Sequence, residues 1–164
     1  MRLWHYDLIP YLPDSQLIAQ KRECDLIWKD ISNGKKTNHI LINYIWEYDS
    51  YKMELFRYYN KLYHEFRVRG FKFNNKSGYE KATTSGLSIV KPFKNHHNYR
   101  YLLQCFCNLQ EKYDRGQKDF SKERYNALEH FVEKKRFVNN MEELSNNMEK
   151  FSKNLEKSLN NMEG

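Results

Sequence analysis

The first group in this sequence able to do chemistry is its first atom. The stretch MRLWHYDLIP holds two aromatics, an imidazole and three aliphatics within ten residues, whereas chain starts are usually polar and frayed unless something ties them down. A start that packs from residue one puts the α-amino group of Met1 at a structured surface, where it can serve as a nucleophile or a base. A second cluster lies in QLIAQKRE, residues 16–23. At ~100° per residue, Gln16, Gln20 and Glu23 share a stripe at the border of an apolar helix face, while Arg22 and Lys29 share a more exposed side. A third candidate is the pair Cys105 and Cys107 with His96 and His97 upstream. As metal ligands these lack a second paired motif at finger spacing. The odd count of three cysteines, with Cys24, points to reduced thiols that fill the core.

The elements that must position these groups are helical. Leu17, Cys24, Trp28 and Ile31 recur at spacings of seven, four and three, which predicts a helix from about Pro13, capped by Asp14 or Ser15 and ended by Asn33-Gly34. A short helix is expected over Asn38–Tyr48. A strongly amphipathic one follows from about Lys52 to Arg69, closed by Gly70 in the C′ position. From Phe71 to Asn95 periodicity is lost, as expected of a long connection of the kind that binds something or moves. Tyr99, Leu102, Phe106, Leu109 and Tyr113 mark another helix ending before Gly116. Ser121 caps the next, with Phe120 and Tyr125 as a hydrophobic staple.

The last 26 residues repeat every seven, placing Met141, Leu144, Met148, Phe151, Leu155 and Met162 at a and d, with Ser158 the one polar d position. Asn140, Asn147, Asn154 and Asn161 occupy g, so no e/g ion pairs choose a partner. The expectation is an all-α protein: a compact helical domain over residues 1–115, an additional helix over 116–138, and a heptad-repeat coiled-coil or docking tail over 139–164. Through that tail the chain is expected to self-associate, to hold a protein partner or to pack back on the domain.

The formal charge is +7, with five Glu and three Lys in the tail, so residues 1–138 carry the basic excess. Such a surface suits a polyanion such as nucleic acid. No run reaches the ~18–20 apolar residues of a membrane span, and Trp4, His5, Tyr6, Asp7 and Pro10 interrupt any secretory signal. A cytoplasmic or DNA-associated protein is expected, with no membrane contact.

The block RLWHYDLIPYLPDSQLIAQKRE, the later NHILINYIWEY and the helix ending HEFRVRGF resemble the pyrimidine-dimer DNA glycosylases of phage and virus repair. The resemblance covers roughly residues 1–110. It implies a compact all-α enzyme that excises a damaged pyrimidine from double-stranded DNA and then nicks the abasic strand. The α-amine at the chain start attacks C1′ to form an imine, and β-elimination follows. The family's catalytic Arg-Glu pair falls on Arg22 and Glu23, the amine on Met1, the DNA-proximal polar positions on Ser15 and Gln16, and a basic residue near the start on Arg2. His5 and His39 would orient the flipped nucleotide or the glutamate.

Elementary chemistry agrees with that reading. An α-amine with pKa ~7.7–8.0 is partly neutral near pH 7, while a lysine at ~10.4 is almost wholly charged. A carboxylate beside the amine opposes positive charge on the sugar and moves protons. No metal or other cofactor is required. Two positions depart from the family pattern. Arg2 is too large for the usual aminopeptidase to act before it, so Met1 stays. Leu26 stands where relatives carry a basic residue, and Lys29 one turn on takes its place, so the excised base is a damaged or modified pyrimidine rather than a dimer necessarily. Two alternatives stand beside this reading: a non-catalytic DNA-binding adaptor of the same fold that recruits a partner through its tail, and a metal nuclease using His96, His97 and Cys107.

Overall fold

Glycines at +70° and +75° in φ, Gly70 and Gly116, stop two of the helices of this chain by taking a left-handed backbone that side chains resist. A computed structural model describes residues 1–74 and 90–160. Its elements are α1 (Asp14–Ser32), α2 (Tyr51–Val68), α3 (Tyr99–Asp114) and α4 (Lys122–Asn160), with 3-10 turns over Tyr6–Tyr11 and Asn43–Glu47. No strand occurs among the described residues, and the fold is all-α. Most of the expected 71–95 connection, and the heptad side chains of Leu155, Ser158 and Met162, lie outside the described residues. The chain divides into two compact units, Met1–Leu128 and Glu129–Gly164.

In the first unit α2 packs on α1 and on both 3-10 turns, and α3 packs on the Tyr6–Tyr11 turn. The buried line of α1 is Leu17, Gln20, Cys24 and Ile27. Trp28 and Ile31 are only half-buried, since a 3.6-residue repeat carries the inner face to Ile27 rather than Trp28. The α1 cap also differs from expectation. Pro13 precedes the helix without a side-chain bond, because the Asp14 carboxylate is taken by Arg69 Nη1 at 2.7 Å and Arg124 Nη1 at 2.8 Å. The first-turn N–H of Ser15 instead donates to Asp119 Oδ2 at 2.6 Å, a cap delivered from 104 residues away.

The expected helix over 38–48 shortens to Asn43–Glu47. Upstream, the His39 N–H donates to Asn43 Oδ1, and the carbonyl of His39 accepts from Ile42 and Asn43, a local side-chain bond that competes with regular helix. The caps of α3 and α4 are conventional: Asn98 Oδ1 accepts from Tyr101 N–H and Ser121 Oγ from Arg124 N–H. The expected staple is present, with the Phe120 and Tyr125 rings 5.9 Å apart.

The start of the chain is tied down from several directions. Tyr58 Oη donates to the carbonyl of Trp4 at 2.8 Å, Tyr101 Oη to that of Leu3 at 2.6 Å, and the Trp4 N–H donates to Gln20 Oε1 at 2.8 Å. Leu3, Trp4 and His5 are buried. Around them stands an aromatic core of Tyr44, Tyr58, Phe93, His97 and Tyr101. Phe93 has a φ of 52°, a costly conformation for a bulky residue. Its N–H is secured by the buried carboxylate of Glu54 at 2.7 Å, which also receives Arg57 Nη1 at 2.6 Å.

In the second unit α4 continues without a break through the heptad segment. Met141, Leu144, Met148 and Phe151 are exposed along it, and Lys153 pairs with Glu149 one turn back.

Candidate active site

Pinning Leu3 and Trp4 fixes where residues 1 and 2 emerge, and they emerge on Glu23. The Glu23 carboxylate, partly exposed on α1, has its two oxygens in different surroundings. Oε2 accepts from the backbone N–H of Arg2 at 3.1 Å and from Gln20 Nε2 at 3.3 Å. Oε1 faces the Met1 amine at 4.0 Å. The amine also lies 3.3 Å from His39 Nε2, and the His39 Nδ1 accepts from Leu41 N–H at 3.2 Å. Three groups far apart in sequence therefore meet: an α-amine, a carboxylate and an imidazole.

Gln20 holds this arrangement together. It is 1% exposed and uses both ends of its amide, accepting from Trp4 N–H and donating to Glu23. One side chain thus sets the distance between the chain start and the carboxylate. The stripe of Gln16, Gln20 and Glu23 marks that edge of α1 in the sequence, but Gln20's role is shown only by its partner.

The other expected residues fall at different distances. Arg2 contributes its backbone to Glu23, while its guanidinium lies 5.8 Å over the Trp4 ring. Arg22 is exposed and lines, with Lys21, Phe66, Phe71 and Lys72, a cavity of about 370 Å³; a step of one residue on a helix turns it ~100° from Glu23. Ser15 sits on the first turn of α1, where its hydroxyl accepts from Gln117 Nε2 at 2.9 Å. Gln16 follows it, half-buried, and Lys29 is exposed near the C-terminal end of the same helix.

His5 is not brought to this surface. It is 3% exposed; Nδ1 accepts from Asp7 N–H, which leaves Nε2 to donate to the carbonyl of His97 at 2.9 Å. That is a structural histidine, capping the Tyr6–Tyr11 turn and joining it to the segment before α3. His97 is built in the same way, with Nδ1 accepting from Tyr6 N–H and Nε2 2.9 Å from Tyr44 Oη. Burial, with smaller contributions from His5 and His96, pushes its pKa well below the ordinary imidazole value. His96 stacks on Tyr44 at 3.6 Å, and Cys107 is exposed. The three residues of the metal reading do not converge, and among the described residues no three His, Cys, Asp or Glu side chains group to hold an ion. Cys24 and Cys105 are buried free thiols, as core-filling cysteines should be; burial raises both pKa values and leaves them protonated.

Fold and site together define an all-helical protein that presents a terminal amine and a helix carboxylate at one surface. Residues 1–78, the segment that contains Met1, Gln20, Glu23 and His39, match the family model described as pyrimidine dimer DNA glycosylase. No curated protein and no solved structure matches the chain. Among the described residues no helix is long and apolar enough to cross a membrane.

Proposed function

We propose that the protein is a DNA glycosylase with coupled abasic-site lyase activity, acting on a damaged or modified pyrimidine in double-stranded DNA through an imine on the Met1 amine. The observation that carries this reading is the approach of the amine to Glu23 Oε1, 4.0 Å, while Oε2 is held by two donors.

A pyrimidine in the stack is out of reach, so the nucleotide is extruded first. The amine lone pair then attacks C1′; the new C–N bond forms as the glycosidic bond breaks and its electron pair leaves with the base. Glu23 opposes the positive charge that spreads over the sugar ring and takes the proton lost from nitrogen. Returned to O4′, that proton opens the ring to the imine. Loss of a C2′ proton expels the 3′ phosphate, and water hydrolyses the imine to regenerate the amine. Arg22 lies beside the carboxylate in sequence and, with Arg2 and Lys29, supplies charge for the phosphates. Ser15 and Gln16 on the first turn of α1 lie beside the DNA.

The test is a panel of lesion-bearing and abasic duplexes cut by the wild type and by Glu23→Gln. The variant keeps the size and the hydrogen-bonding capacity of the side chain but not its charge. Nicking should fall by ~100-fold or more, with duplex affinity retained. Nicking by Glu23→Gln at the wild-type rate would place the active site elsewhere. Binding to all duplexes with no cleavage of any by the wild type would favour the adaptor reading.

A further inference from the structure

His39 is more than a neighbour of the amine, because its ring is fixed in one tautomer. The Leu41 N–H donates to Nδ1 at 3.2 Å, so the Nδ1 lone pair is in use and a neutral ring carries its proton on Nε2. Nε2 is the atom 3.3 Å from Met1 N. The hydrogen bond therefore runs from His39 to the amine and needs the amine's lone pair. An ammonium group has none.

The ring is held from its own turn. The His39 N–H donates to Asn43 Oδ1 at 2.9 Å, and Asn43 Nδ2 donates to Asn38 Oδ1 at 3.1 Å. Moving the proton to Nδ1 would set one N–H against another at Leu41, and turning the ring over would put a C–H there in place of the acceptor. We propose that His39 is a positioning residue for the nucleophile: its Nε2–H seats the free-base form of the Met1 amine beside Glu23. This rests on the imine reading above and assigns His39 to the amine rather than to the nucleotide. Attack exchanges this hydrogen bond for the new bond to C1′. The proton then lost from nitrogen goes to Glu23 Oε1, since Nε2 already carries one. The titratable groups that face the amine are Glu23 and His39.

The experiment follows borohydride trapping on an abasic duplex under single turnover, together with duplex affinity, for the wild type, His39→Leu and His39→Gln. Leu removes the donor; Gln restores an N–H on a side chain of similar reach. His39→Leu should trap about tenfold more slowly at pH 7 with affinity within about twofold, and its deficit should close at pH 9, above the ordinary range of α-amines. His39→Gln should recover most of the rate at pH 7. Wild-type trapping by His39→Leu, an equal deficit at both pH values, or no rescue by Gln would overturn the assignment while leaving the imine reading intact. Absence of any adduct with the wild type would overturn that reading itself, and this assignment with it.

Discussion

Glu23 divides its work between two oxygens, one structural and one facing the amine, and Gln20 makes that division possible. Replacing Gln20 with Leu strands the Trp4 N–H inside the unit and leaves Oε2 held by the Arg2 N–H alone. The expected cost is about 1–3 kcal/mol of stability for the unsatisfied donor, read by denaturant titration, with a loss of nicking that exceeds the loss of affinity for the same duplex. A stable variant with unchanged nicking would mean that the carboxylate needs no support. The position of Glu23 was legible at this scale because helix periodicity put it on the border of the apolar face. The amine's second neighbour was not legible, since His39 reaches it from 38 residues away out of a turn whose form depends on Asn43. His5 shows the converse: its residue type suggested chemistry, and its burial gave it a structural task.

At the scale of elements, the ends of helices hold the site in place. Arg69, just past α2 and 9% exposed at its side chain, donates to Glu65, to Asp14 and to the carbonyls of Leu12 and Pro10. It joins the end of α2 to the start of α1 and to the Tyr6–Tyr11 turn that leads back to the chain start. Arg69→Ala leaves the buried Glu65 charge uncompensated and should destabilise the protein by about 3–5 kcal/mol, measured by chemical unfolding; a change under 1 kcal/mol would show the network to be dispensable. Asp14 gives a pH signature. Burial alone would raise its pKa, but the hydrogen bonds and charges of Arg124 and Arg69 outweigh that and hold it below the usual carboxylate value. Its folded pKa thus lies below its unfolded one, so its contribution is complete above pH ~4 and is lost as the pH falls through the folded value. Asp14→Asn should lose less stability than wild type on acidification from pH 5 to pH 2, as followed by thermal melts. Glycine stops and apolar spacing made α2 and α3 readable from sequence. The α1 cap was not readable, because Asp119 and Arg124 are distant in sequence and local rules see only neighbours.

At the scale of the molecule, charge and site coincide. The basic excess belongs to residues 1–138, the same part of the chain that carries the family match and the amine–carboxylate pair, and it suits a phosphate-lined partner whose binding weakens steeply with salt. The all-α class and the basic balance were legible from composition and periodicity. What composition cannot show is that a chain start threads between three helices to present its amine, since that depends on backbone carbonyls of Leu3 and Trp4 finding Tyr101 and Tyr58. The most direct measurement is to reduce the complex of the wild-type protein and an abasic duplex with borohydride, digest it, and locate the attached sugar by mass spectrometry. The account predicts one adduct, on the α-amine of Met1, and none when that amine is blocked by an N-terminal extension. An adduct on a lysine, or trapping that survives the extension, would contradict it.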